Sequence, residues 1–312
     1  MSKKLYIIGN GFDLWQGLLT SYQCFNCFMC RIHPDDHRRI GHIYNQLDPS
    51  MLWSDYEKAL GKLNVIGLVE RNIENWANME SHQLENAFDS LAVDLKLYFQ
   101  EWVTNINYDT ANNKRLCGIC NDKDALFLTF NYTNTLERFY GIPQKQICYI
   151  HGDTGNNELL QPIVGHGLSN AEIREKVESF RDKIYQLTLH YQLPQDVANH
   201  EAWTSQIINE IIDLWSGAHK DTKSCLDDNG TWFSRLTDIE NIYVLGHSLS
   251  EVDARYFEFI CEKNPDAKWH VSYYGENDKG SKERDLRKLL KDTKTHAILI
   301  KPFQLDDLCC KE

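Results

Sequence analysis

The chain has 312 residues, 42% of them hydrophobic and 12% aromatic, which is enough for a sizeable core and unlike a disordered or collagen-like chain. Its 45 acidic side chains outnumber 33 basic ones, giving a formal net charge of -12. That balance argues against a non-specific grip on nucleic acid, which needs a surplus of Lys and Arg. No stretch has the length of a membrane span, so neither a membrane nor a directly bound nucleic acid is an expected partner. The opening Met-Ser-Lys-Lys leads into only four apolar residues, too few for a signal-peptide core. A cytoplasmic location with reduced cysteines is the expectation.

Leu5 to Ile8 is a short apolar run that predicts a buried strand. Further runs of this kind are Ala125 to Phe130, Ile147 to Ile150, Ile242 to Leu245, Trp269 to Tyr273 and Ala297 to Ile300. Strands apolar on both faces are what a parallel sheet requires. Residues 53–110 and 171–219 instead repeat apolar residues at three and four positions, as in Leu84, Phe88, Leu91 and Leu95, which predicts helices. The chain length suits one α/β domain spanning 1–312, with helical insertions at 53–110 and 171–235. Asp221 to Gly230, polar and ending in Asp-Asn-Gly, comes nearest to a linker.

Four motifs follow predicted strands. Gly9-Asn10-Gly11-Phe12-Asp13-Leu14 is a glycine turn before a helix, where backbone amides approach a pyrophosphate and the helix start favours its charge. Leu14 stands where the dinucleotide fingerprint has its third glycine, so an ordinary tight turn with Asp13 as a cap is the competing reading. Asn131, in Thr129-Phe130-Asn131-Tyr132-Thr133, is placed to hold a ribose hydroxyl or a water, because its amide both donates and accepts. The alternative is an ordinary strand-end turn. His151, in His151-Gly152-Asp153, titrates near neutrality and suits a general base, or is a structural histidine. Gly246-His247-Ser248-Leu249 reads either as a phosphate- or ribose-binding loop or as a nucleophile elbow, the latter incomplete because position 250 is Ser rather than Gly.

Together these motifs resemble the sirtuin superfamily in order and spacing. The sirtuin glycine motif is similar to Gly9-Asn10-Gly11-Phe12-Asp13 with Gly17-Leu18-Leu19, its Gln-Asn-Ile-Asp to Phe130-Asn131-Tyr132-Thr133, its catalytic His-Gly to His151-Gly152, and its Gly-Thr-Ser-Leu to Gly246-His247-Ser248-Leu249. More closely, the chain resembles the AbiH abortive-infection family, through Gly9 to Leu14 with Thr20-Ser21-Tyr22, Phe130 to Thr133 with Leu136-Glu137, and Gly246 to Leu249 with Asp253 and Tyr256-Phe257. The resemblance implies a Rossmann-like parallel sheet of sirtuin type with helical insertions. It implies an antiphage effector that cleaves NAD, its substrate, to nicotinamide and ADP-ribose. Asn131 and His151 would be catalytic, and Gly9, Asn10, Gly11, Phe12, Asp13, Gly246, His247, Ser248 and Asp253 would bind the dinucleotide. Two departures argue against protein deacetylation: no pair of Cys-x-x-Cys motifs follows His151, and Thr133 stands where sirtuins have Asp. Activation through oligomerisation, a partner protein or a phage component is expected, and the sequence names none of them.

Two rival functions remain at this stage. One is a serine hydrolase using Ser248 with His270 or His296. The other is a module that senses NAD or ADP-ribose without turnover. Cys24, Cys27 and Cys30 with His33, and Cys117 with Cys120, have metal-like spacing. A helix over residues 20–33 would place those three cysteines along one buried face instead, and no metal is expected. His33, His37 and His42 read as a solvated loop or helix start, Trp53, Tyr56 and Trp76 as helical core, and His166 as part of a glycine loop or of the pocket wall.

Overall fold

The computed structural model describes residues 3–44, 56–77, 89–112, 114–120, 122, 124–152, 162–191, 200–290 and 299–308. Six strands form: β1 (Lys3–Ile8), β2 (Leu126–Thr129), β3 (Ile147–Tyr149), β4 (Ile239–Leu245), β5 (Lys268–Tyr273) and β6 (Ile300–Gln304). They make one sheet in the order β3-β2-β1-β4-β5-β6, with every neighbouring pair parallel. This is a Rossmann-like α/β sheet, in which the winding reverses between β1 and β4, the kind of point beyond whose strand ends open α/β sheets in general bind ligands. The last strand begins at Ile300, later than expected, and residues 297–298 lie outside the described residues.

Two cores explain why the strands are apolar throughout. Side chains alternate across a strand, so Leu5 and Ile7 join Leu128, Ile242, Val244 and Val271 on one face. Tyr6 and Ile8 join Phe127, Ile147 and Leu245 on the other. The helices Ala254–Lys263 and Glu276–Leu290 cover the first face through Phe257, Ile260, Leu286 and Leu289. Phe12, Leu136 and Tyr140, from the short helices Asn10–Trp15 and Thr135–Tyr140, cover the second. On that second face four rings stack across adjacent strands in register: Phe127, Tyr6, Tyr243 and His270, with centroids 5.1, 5.1 and 4.4 Å apart.

The chain divides into two compact units. The first holds the sheet and is assembled from Met1–Ser21, Gln100–Ile163 and Asp221–Glu312. The second comprises Tyr22–Phe99 and Val164–Lys220, and its described elements are helices such as Tyr22–Ile32, Val65–Ala77, Asn170–Glu178 and His200–Gly217. Its core packs Phe25 edge-on against Tyr56 and Phe99, and Trp215 Nε1 donates to Leu60 O at 2.9 Å. Lys220, fully buried, is paired with Glu57 at 3.0 Å. Tyr56 and Leu95 are buried as expected, whereas Trp53, Leu84 and Phe88 and the side chains of Leu91 and Trp76 lie outside the described residues.

Segment 221–235, expected as part of an insertion, packs with the sheet: Cys225, Leu226 and Phe233 belong to its first core. Asp221 to Gly230 is not a linker. Asp221 accepts the amides of Lys223 and Ser224 and thereby caps the helix Thr222–Asp228, a role its polar sequence had masked. Among the described residues no helix is long and apolar enough to cross a membrane.

Candidate functional site

The register makes four strands end level, since Ile8 pairs with both Thr129 and Leu245, and Thr129 with Tyr149. The residues that follow, Gly9, Asn131, His151 and His247, therefore leave the sheet at one edge. At its centre the two glycine loops interlock. Gly9 N–H donates to Leu245 O at 2.9 Å and Gly11 N–H to Gly246 O at 2.7 Å. A Cβ at Gly9 would lie 2.5 Å from His247 Cα, and one at Gly11 2.7 Å from Gly246 O. These glycines serve backbone-to-backbone approach, and the amides of Gly9 and Gly11 are directed at β4 rather than outward.

Asn131 lies just beyond β2, where its own amide donates to Thr129 Oγ1 at 3.1 Å and turns the chain. Its side chain donates from Nδ2 to Gly9 O at 3.1 Å. That bond fixes the amide orientation and leaves Oδ1 buried with no hydrogen-bond partner among the described residues. The Thr20 hydroxyl is likewise buried without one, and Asn10 Nδ2 donates to the Thr20 carbonyl at 2.8 Å. Orphaned buried polar atoms are rare and call for an explanation.

Asp13 is not a helix cap. Its two carboxylate oxygens accept from Thr133 Oγ1 at 2.5 Å and Thr135 Oγ1 at 2.8 Å, joining the β1 loop to the β2 loop. Burial pushes its carboxyl up to about 6, against the opposite pull of Thr133, Thr135 and Asn131. The folded carboxyl thus keeps its proton where the unfolded one, with an ordinary value near 3.8, has ionised. Its contribution to stability is complete below pH ~4 and is lost as pH rises through ~6. Asp13→Asn is expected to remove that loss, which amounts to about 3 kcal/mol at most. Urea midpoints of the variant between pH 4 and 7 should be flatter than those of the wild type, and parallel profiles would refute the assignment.

His151 stands at the end of β3, buried, with Gly152 after it at φ +90°. Its Nε2 is 3.9 Å from Asp253 Oδ1. The other oxygen of Asp253 is 3.5 Å from His247 Nε2. The Phe130 ring meets both imidazoles edge-on, at 5.1 Å from His151 and 4.4 Å from His247. Asp253 precedes the helix Ala254–Lys263, yet its side chain makes no cap hydrogen bond there. A carboxylate in this place repels a phosphate but can accept from a ribose hydroxyl, and it lies beside both histidines.

Phe12, expected at the ligand, is fully buried in the second core. Ser248 is exposed, and Lys282 Nζ donates to its carbonyl at 3.3 Å and to that of His247 at 3.1 Å. The left-handed residues are Gly246 and Leu249, both at φ 63°, so the strain of this loop flanks Ser248 instead of falling on it, as a nucleophile elbow requires. His270 pairs with Tyr243 within β4, and its Nε2 bonds Asn241 Oδ1 at 3.1 Å, back along the strand from Ser248. His296 and Asp153 lie outside the described residues.

The other sequence candidates fall elsewhere. Residues Tyr22–Ile32 do form a helix, but Phe25 and Met29 are its buried residues, while Cys27 and Cys30 are exposed and Cys24 is half-buried. The expected buried cysteine face is therefore corrected: larger apolar side chains occupy the core positions. The Cys120 side chain and Cys309–Cys310 lie outside the described residues, among which no group of three or more His, Cys, Asp or Glu converges as a metal site. His33 precedes the helix Pro34–Tyr44 and packs 4.1 Å from the Tyr98 ring, and His37 bonds Asn26 Oδ1 at 2.6 Å. The His42 side chain lies outside the described residues. His166 is a buried structural residue, with Nε2 at 2.9 Å from Trp215 O and Nδ1 accepting from Leu168 N–H, and burial lowers its pKa.

The sequence reading missed Thr135 and Lys282. A signal for Thr135 existed: an Asp between Phe12 and Leu14 at a helix start is buried and needs donors. Nothing local marked Lys282. Residues 5–273 match the family described as bacteriophage abortive infection AbiH. No curated protein and no solved structure matches the chain.

Proposed function

The chain belongs to the bacteriophage abortive infection AbiH family, and on that premise we propose that it is an antiphage effector that hydrolyses NAD to nicotinamide and ADP-ribose. The observation that carries this reading is the orphaned, buried Oδ1 of Asn131 at the winding reversal of a Rossmann-like sheet. A ribose hydroxyl or a held water donates to it and removes the cost of leaving it unmade, about 1–3 kcal/mol. The sirtuin-like order of the four motifs supports a dinucleotide as the ligand.

In this reading Asn131 orients the water or the ribose hydroxyl beside the anomeric carbon. Nicotinamide leaves as a neutral base with the electron pair of the broken C–N bond. Water forms the new C–O bond, and His151 takes its proton or that of a ribose hydroxyl. The loop Gly246 to Ser248 binds the phosphates and ribose. Activity is confined to infection, since unrestrained NAD loss kills the host, and oligomerisation, a partner protein or a phage component supplies the trigger.

The test is mass spectrometry of NAD and ADP-ribose in cells expressing the chain, with and without phage. NAD loss with ADP-ribose gain on infection is expected. Unchanged NAD in cells that are nevertheless protected would overturn the reading and leave a sensing module that binds the dinucleotide without turnover.

A further inference from the structure

We infer that Asp253 is the positioning residue for His151, and that its single carboxylate is shared with His247. The inference deepens the reading above and rests on His151 being the base of the site. One oxygen of Asp253 faces His151 Nε2 at 3.9 Å and the other faces His247 Nε2 at 3.5 Å, with all three side chains buried. The protonation of His247 follows from its other nitrogen. Leu249 N–H donates to His247 Nδ1 at 2.9 Å, so the ring carries its hydrogen on Nε2, toward Asp253. Leu249 adopts a left-handed φ of 63°, a conformation costly for a residue with a side chain, and in that strained turn its amide reaches the imidazole.

His247 thus holds one oxygen of the carboxylate as a neutral donor, and the negative charge remains available to His151 through the other. Among the described residues, Phe130 lies edge-on against both rings, Tyr256 is 5.8 Å and Tyr132 6.2 Å from the His151 ring, and Lys282 donates to the carbonyls of His247 and Ser248. Asp13, the other buried carboxyl at this edge, is bonded to Thr133 and Thr135. When His151 takes a proton, Asp253 stabilises the imidazolium and orients the ring. The proton stays on the histidine, as in other carboxylate–histidine pairs.

The test is imidazole NMR of the full chain labelled with ¹⁵N-histidine, comparing wild type with Asp253→Asn, which keeps the shape and removes the charge. The titrations of His151 and His247 are both expected to fall, by about one pH unit or more. Folding of the variant is checked by thermal unfolding. An unmoved His151 titration in a folded variant would overturn the inference. Should Asp253→Asn not fold, His247→Phe decides: an apolar ring there removes the hydrogen directed at Asp253, so the His151 titration should rise. No change there would equally overturn the sharing. Neither measurement reads NAD, so failure of NAD cleavage and failure of this pairing are separate results.

Discussion

Gly246→Ala is expected to destabilise the protein by about 3 kcal/mol or more, a large effect for a single methyl group. Two penalties coincide. The residue sits at φ +63°, where a side chain costs about 1–2 kcal/mol. The added Cβ would also lie 2.1 Å from Phe12 N and 2.5 Å from Gly11 C, which are backbone atoms of the facing loop. Backbone cannot swing aside as a flexible side chain does, so β4 and the β1 loop must separate and the Gly11–Gly246 hydrogen bond is lost. Gly280→Ala is the control. That glycine lies inside the helix Glu276–Leu290 with nothing within 4 Å of a new Cβ, and alanine there should stabilise by about 0.5–1 kcal/mol. Urea unfolding of both variants measures the contrast. Equal midpoints would mean that the two loops do not interlock as described.

His151→Ala is expected to lower NAD cleavage by about 10²–10⁴-fold, the range a general base supplies. Asn131→Ala should lower it comparably, and here stability separates function from structure. A buried residue kept for packing loses stability when truncated. Asn131 gives up its bonds to Gly9 O and to the Asp13 carboxyl but also removes an orphaned acceptor, so the variant should unfold within about 2 kcal/mol of wild type. Activity measured as NAD consumed by purified, activated protein, together with a denaturation curve, reads both. Full-rate cleavage by either variant would remove that residue from the mechanism. Lost activity together with a large loss of stability in Asn131→Ala would make the asparagine structural.

The sheet was legible because parallel strands are apolar on both faces: runs such as Leu5 to Ile8 and Ala125 to Phe130 have little else they can form. The site was legible as far as it lies directly beyond those runs, and Asn131, His151 and Gly246 are found at the strand ends the sequence indicated. Roles that depend on long-range partners were not legible. Asp13 looked like a cap because its acceptors' donors, Thr133 and Thr135, come 120 and 122 positions later. Asp253 was legible only as a ligand candidate, because nothing in sequence shows that two imidazoles, from loops after β3 and β4, converge on it. The cysteines of residues 24–30 illustrate a different failure. Spacing of three fixed a helical stripe, but Phe25 and Met29 are larger and more apolar than the cysteines, and they determine which way the helix faces.

The position of β1 in the middle of the sheet has a consequence for synthesis. Its two neighbours are encoded far apart: β2 ends at Thr129, but β4 begins only at Ile239. At about 5–20 residues per second on the ribosome, β1 waits about 10–50 seconds for its second partner. Until then the glycine turn after it has no Gly246 to lock against, and His151 has no Asp253. A growing chain therefore carries its asparagine and histidine long before it carries the residues that align them. On the proposed reading, a ribosome-bound chain has no assembled site with which to cleave the cofactor.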